Sequence, residues 1–376
     1  MTASLYIHVP FCATLCDYCD FYSVELSDND SRLEAYVDRV IADTATQFRR
    51  YPVEAVPTAY IGGGTPSALG PARMGRLLEG LRAILPQWPA ECTVEANPES
   101  ADGEFLAACR AGGVNRLSLG VQSFHGPSRR ALGRAGNEGL LPERLALAAW
   151  YFPGAFSADL IAAFQDEAVL LEDIDRLLAY EPAHVSLYAL TVEAGTPLYS
   201  RRNLLPKADE ADRLWIAGRD ALEAAGYRQY EVSNFCLPGK ECRHNMRYWR
   251  LENWLATGPA ASGTVISEDG GIRRSYPADV DAYLAGAPPC VEILDRFSLM
   301  EESLMMGFRC AGGPDGDRFR RRFGASIEDC IPRTLAAWRE RGLVEPQRPA
   351  MNREGLLLLN AFLIDAFGEL AEPAAG

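Results

Sequence analysis

The chain has 376 residues, long enough for a large buried core and for two or three domains, or for one α/β barrel with a smaller companion. Lys and Arg number 37 against 51 Asp and Glu, for a formal charge of −14. That balance argues against a protein that grips nucleic acid, and the absence of a polybasic cluster argues against binding an anionic membrane surface. The start, MTASLYIHVPF, has no basic leader region, and no run reaches the roughly 20 apolar residues of a membrane span. A cytoplasmic location is therefore expected. In such a reducing compartment the 10 cysteines are thiols or metal ligands rather than a disulfide framework.

Along the chain, strand-like runs alternate with helix-period runs. The strands are expected at Leu5–Val9, Ala59–Gly62, Cys92–Ala96, Arg116–Val121, Ala158–Ala162 and Val185–Leu190. Helices are expected at Leu33–Arg49, Pro71–Leu85, Gly103–Ala111, Pro142–Trp150, Val169–Ala179 and Ala208–Ala225. Gly112-Gly113 and Gly226 sit where left-handed caps end helices. Six consecutive βα units predict a parallel sheet wound right-handedly, a partial (βα)6 barrel open on one side. Tyr227–Val232 is a further strand candidate. Beyond Trp254 the composition becomes glycine-rich and reads as loop. From Ser298 helical periodicity returns at Ser298–Gly307, Asp315–Phe323, Ile331–Arg341 and Glu354–Ala366, with an extended piece at Gly342-Leu343-Val344. These predict a mainly helical, winged-helix-like C-terminal domain. The division expected is residues 1–250 and 251–376, with Glu372–Gly376 as a frayed tail.

Cys12-x3-Cys16-x2-Cys19 follows the first strand and carries the sharpest chemical signal. Three thiolates in eight residues can converge on one metal centre, and thiolate is the ligand that Fe–S clusters take. A [4Fe–4S] cluster held by three cysteines keeps one iron open to a ligand. The competing reading is a zinc site without its fourth ligand, but no second CxxC or HxxxH follows at useful spacing. Cys92 and Cys109 lie on apolar faces and read as packing. Cys236 and Cys242, near His244, leave a second metal site open.

The triad, taken with its neighbours, resembles the radical S-adenosylmethionine (SAM) superfamily. The likeness narrows to the group of coproporphyrinogen III dehydrogenases and HemW proteins. It is carried by Tyr6-Ile7-His8-Val9-Pro10-Phe11-Cys12, Gly62-Gly63-Gly64-Thr65-Pro66-Ser67, Glu95-Ala96-Asn97-Pro98, Asn115–Phe124, Leu132-Gly133-Arg134, Asp159-Leu160-Ile161, Tyr230–Phe235 and Arg243-His244-Asn245-x-x-Tyr248-Trp249. The resemblance implies that Cys12, Cys16 and Cys19 hold the cluster. It implies that Gly63, Gly64, Thr65, Glu95, Gln122, Arg134 and Asp159 hold SAM, with Tyr6 beside the adenine. The chemistry implied is reductive cleavage of SAM to methionine and a 5′-deoxyadenosyl radical. No residue is assigned a catalytic role in itself.

Within the group, Phe21 stands where the dehydrogenase motif continues with a further cysteine, and only 11 residues precede Cys12. Both features, together with the Arg243-His244-Asn245-x-x-Tyr248-Trp249 motif, favour the HemW type, a heme-binding chaperone, with His244 as a candidate axial ligand. A heme-acceptor protein and a reductant protein are the partners implied. The chain departs from the HemW pattern at Gly136, at Ala162-Ala163-Phe164-Gln165 and at Gly258-Pro259-Ala260-Ala261-Ser262, so two expected histidines are absent. A porphyrinogen-processing enzyme and a cluster-bearing scaffold without SAM cleavage are the other readings.

Overall fold

A computed structural model describes residues 1–371 apart from Asp28, Asn29, Ala135, Asn137, Glu268 and Asp269. The expected tail, Glu372–Gly376, lies outside the described residues. Six strands form where their patterns predict: β1 (Ser4–Val9), β2 (Thr58–Gly63), β3 (Glu91–Ala96), β4 (Arg116–Gln122), β5 (Phe156–Ala162) and β6 (His184–Ala189). They pair in chain order and all in parallel. Helices such as Arg32–Arg50, Gly70–Ile84 and Glu167–Leu178 make the return crossings. Asp102 and Asp166 cap two of the helices by accepting from the Phe105 and Val169 amides. Gly113 and Gly226 take positive φ at helix ends, whereas Gly112 stays right-handed.

The strands alternate, apart from Ile161 of β5, which faces the interior, and a register shift at Gly120–Gln122 of β4. Leu5, Ile7, Val94, Leu117, Leu119 and Leu187 face the helices in one buried apolar cluster. The opposite face is polar: Ser4, Tyr6 and His8 on β1; Thr58 and Tyr60 on β2; Glu91, Thr93 and Glu95 on β3; Arg116, Ser118 and Gln122 on β4. Parallel strands covered on both faces usually read as continuous apolar runs. The interior of this barrel is instead a column of hydrogen-bonding groups.

Two expectations need correction. Tyr227–Val232 is not one strand; Arg228–Gln229 and Asn234–Cys236 pair antiparallel with each other, and the second pairs antiparallel with β6. The stretch after Trp254 is not loop but strands β7 (Trp254–Thr257), β8 (Ser262–Ile266), β9 (Gly271–Ser275) and β10 (Cys290–Leu294). Its glycines mark the turns: Gly258 and Gly270 take positive φ between strands. β7 runs parallel to β1 on the side away from β2, and β8 to β10 continue antiparallel. Among the described residues the sheet stays open, from β10 at one edge to Arg228–Gln229 at the other.

The C-terminal region is mainly helical, with helices Arg296–Gly307, Gly316–Phe323, Pro332–Glu340 and Leu359–Leu370 and one antiparallel bridge, Val344 to Met351. It has its own core, in which Phe362 meets Phe308 at 4.5 Å and Trp338 at 5.4 Å between ring centroids. That core also takes in Leu251, Trp254 and Ala256, so the sheet's added strands share it. No described helix is long and apolar enough to cross a membrane.

Candidate functional site

At the C-terminal ends of β1 to β6 lies a cavity of about 520 Å³. Cys12, Cys16 and Cys19 all line it. So do Gly63, Gly64 and Thr65 from the end of β2, Glu95 from β3, Gln122 from β4, Arg134 and Asp159. Residues spread over about 150 positions of sequence thus meet at one mouth, the end of a barrel where ligands bind.

Local contacts fix this arrangement. The Thr65 hydroxyl donates to Cys12 Sγ at 3.4 Å, and Arg134 donates to Cys16 Sγ at 3.5 Å. Arg134 also donates to Asn97 Oδ1 at 2.7 Å and to the Gly120 carbonyl at 2.8 Å. Asn97 donates in turn to Thr65 at 3.0 Å, so cysteine loop, β2 loop and β3 loop form one network. Asp17 ties the cysteine loop to Arg201, and its amide donates to the Leu132 carbonyl at 3.1 Å. Gly64 is pressed against the backbone, where a Cβ would lie 2.9 Å from the Val9 carbonyl oxygen. Gly63 has φ +109°, and a Cβ there would meet the His8 ring at 2.6 Å. Both glycines are therefore required by shape.

Burial pushes the thiols of Cys12 and Cys19 up, Cys19 to about 11. A metal must displace those protons to gain thiolate ligands. The three sulfurs share a cavity with two donors already aimed at them, which suits an iron–sulfur cluster. Among the described residues no three His, Cys, Asp or Glu side chains close on a single ion. A four-iron cluster is far larger than an ion, and its ligands stand correspondingly apart. That same observation bears on Cys236 and Cys242: Cys242 faces Glu91 at 3.9 Å, and no second metal group forms there. Cys92 and Cys109 are fully buried in the apolar cluster, as read from their positions.

Glu95 accepts from Tyr60 at 2.6 Å and from the Gly63 amide at 3.0 Å. Burial raises its carboxyl to about 7, the Tyr60 hydrogen bond opposes that, and the charge of Asp159 adds to it. Asp159 is also raised by burial, held back by a hydrogen bond from Ser186 and by the charge of Arg116. Two buried carboxyls whose ionisation burial disfavours would each be relieved by a cation, such as a sulfonium or ammonium, placed beside them.

Two residues singled out in the sequence do not line the cavity. Tyr6 lies below it and bonds His8 Nδ1 at 3.0 Å, while His8 Nε2 meets the Tyr22 carbonyl at 2.9 Å. His244 lies in the barrel floor with no exposed surface. Its Nδ1 meets Thr58 Oγ1 and its Nε2 meets the Tyr248 hydroxyl, both at 2.8 Å. Burial pushes its pKa down to about 3, so it is neutral. With both nitrogens engaged, it offers no lone pair to a heme iron. Helix Arg243–Trp249 is seated by Glu91, which accepts from the amides of Arg243 at 3.1 Å and His244 at 2.8 Å. The Arg-His-Asn-x-x-Tyr-Trp motif is thus the plug of the barrel's lower end.

Asn97, Ser118 and Tyr188 line the cavity without having been singled out. Their signal was present as the polar parity of β4 and β6, and as the residue two after Glu95.

Comparison with known proteins agrees with this geometry. Residues 6–141 match the radical SAM superfamily model and residues 294–358 match the HemN C-terminal domain model. The chain is 37% identical over 275 residues to the heme chaperone HemW of Escherichia coli K12, covering 72% of each chain. The chain belongs to the HemW family of radical SAM proteins. A mouse relative, the mitochondrial radical S-adenosyl methionine domain-containing protein 1, is 33% identical over 98% of this chain and 88% of its own. The HemW-family fold is also that of the solved E. coli coproporphyrinogen III oxidase HemN, at a TM-score of 0.81 and 22% identity, covering 97% of this chain and 90% of that one. Cluster and SAM are what the radical SAM family implies, and the three cysteines of this HemW-family chain meet in one cavity with its Gly63–Thr65 loop and its buried acids.

Proposed function

We propose that this protein is a heme chaperone that carries a [4Fe–4S] cluster on Cys12, Cys16 and Cys19 and binds SAM beside it. The observation that carries the reading is the meeting of all three cysteines with Gly63, Glu95, Gln122, Arg134 and Asp159 in one cavity, in a chain whose relatives are named heme chaperones. When bound, the cluster supplies an electron to SAM. Glu95 and Asp159 provide carboxylates for the ligand's ammonium and ribose hydroxyls. Gly63 and Gly64 let the backbone approach the ligand closely. Arg134, already spanning Asn97, Gly120 and Cys16, holds the cysteine loop at the mouth and offers its guanidinium to a carboxylate.

Phe21, 70% exposed at the cavity rim, supports the chaperone over the dehydrogenase, whose motif has a cysteine there. His244 belongs to the floor in this reading, and heme takes its axial ligand elsewhere. A protein that supplies electrons and one that accepts heme complete the proposal. Ten unpaired cysteines suit a reducing, cytoplasmic setting. We place the division of the chain near residue 294 in place of the expected 250, since β7 to β10 continue the barrel sheet, even as the C-terminal core draws on Leu251, Trp254 and Ala256.

The test is heme titration of the anaerobically reconstituted protein, followed by incubation with coproporphyrinogen III, SAM and dithionite. Stoichiometric heme binding without decarboxylation is expected. Decarboxylation at an enzymatic rate rejects the reading in favour of the dehydrogenase.

A further inference from the structure

A second cavity, of about 230 Å³, opens at the lower end of the same barrel. It is lined by Arg116, Lys240, Arg243, Asn115 and His184, together with the carboxylates of Glu91 and Glu241. Nothing in the cluster or SAM chemistry uses it. Arg116 is only 8% exposed, and its guanidinium makes no hydrogen bond or close ion pair among the described residues. His184 is 2% exposed; its Nε2 meets the Tyr230 hydroxyl at 2.9 Å, while its Nδ1 has no partner among the described residues. The nearby charge of Glu91 acts on Arg116 without a hydrogen bond, and a buried guanidinium and a buried ring nitrogen left without hydrogen-bond partners beside an open cavity are costly unless something polar fills it.

The charge pattern indicates what fills it. Three cations face two carboxylates, and Glu91 already spends its oxygens on the amides of Arg243 and His244. The balance is positive in a chain whose net charge is −14. Arg116 offers a planar fork of donors and Lys240 offers its ammonium, Asn115 being already engaged with Ala90 and Cys92, and His184 Nδ1 can donate when the Tyr230 hydroxyl donates to Nε2. We propose that this lower cavity is a binding site for an oxyanion, a carboxylate or phosphate group, with Arg116 as its buried anchor and Lys240 and Arg243 as its exposed rim. The site is separate from the SAM cavity and stands whether or not the chain is a heme chaperone.

The test uses the full-length, cluster-reconstituted protein with SAM present to fill the upper cavity, at constant ionic strength set with chloride. Acetate and inorganic phosphate are the probes. Saturation-transfer NMR is expected to show magnetisation passing from protein to the acetate methyl group, with phosphate suppressing it. Arg116→Met is expected to lower the transfer at least fivefold, and the double substitution Lys240→Ala, Arg243→Ala at least twofold. The rim pair is exposed, so it decides the matter even where Arg116→Met fails to fold. Stronger competition by phosphate assigns a phosphoryl ligand; stronger binding of acetate assigns a carboxylate. No transfer in the wild type, or transfer unchanged in the rim variant, overturns the proposal.

Discussion

The two ends of one barrel teach different lessons from the same strands. On β3, Glu95 at the upper end lines the cysteine cavity, while Glu91 at the lower end holds the amides of a plug helix. On β1 and β2, Gly63 and His8 pack under the mouth, while Ser4 and Thr58 bond each other at 2.7 Å next to His244. Position along a strand, and not residue type, decides whether a buried polar group serves a ligand or closes the fold. A polar interior is affordable because nearly every group in it has a partner, and because the apolar face of the sheet is spent on the helices.

The contrast can be broken at its strongest point first. Replacing Cys12, Cys16 and Cys19 together by Ala is expected to abolish the Fe–S absorption of the anaerobically reconstituted protein while leaving its circular dichroism intact. Retained absorption places the cluster elsewhere. At the lower end, His244→Ala leaves the Tyr248 hydroxyl without its partner and Thr58 with Ser4 alone, in a closed floor. Such an orphaned buried hydroxyl costs about 1–3 kcal/mol, so the variant should unfold about that much more easily in urea while keeping full iron content. A variant of native stability that no longer binds heme would restore the ligand role to His244.

Glu95 sharpens the comparison through pH. Its folded pKa, raised by burial to about 7, exceeds the ordinary carboxyl value of 4.5. Between those values the folded state holds a proton that the unfolded state has released. Stability of the cofactor-free protein therefore falls as pH rises from about 4.5 to 7, then levels, by up to about 3 kcal/mol. Glu95→Gln should flatten that slope in urea titrations at several pH values, and an unchanged slope removes Glu95 as its source. SAM affinity, which needs the ionised form, should rise over the same range. The smallest effect expected is that of Glu91→Gln, which keeps one acceptor for the plug helix but loses its charge; a cap change of this kind costs about 1 kcal/mol. Thermal unfolding should register it as a shift of a few degrees, with no change in SAM binding.

Much of the upper site was legible because its chemistry is dense in the sequence: three cysteines in eight residues and a glycine run at a strand end. The six barrel strands were legible for a related reason, since each alternates between helix-facing and interior residues. The lower end was not. His244 looks like a metal ligand in a linear reading because its partners, Thr58 and Glu91, lie more than 150 residues away. The same distance hid β7, whose partner β1 begins the chain. Glycines that seemed to announce a loop after Trp254 are turns of a meander, and turn glycines look alike in both settings. Arg116 was legible as a motif residue but not as an unpaired cation, because pairing is a property of the assembled interior.

β1 sits between β2 and β7, and residues 12–19 hang from its end. Yet one neighbour of that strand, Trp254–Thr257, lies some 240 positions further along the chain than Cys12. The column beneath the cysteines likewise waits for the plug helix at 243–249. Domains generally fold as units. The cavity for the cluster is therefore complete only once the residues through Thr257 are in place, far along the chain from the cysteines that would hold it.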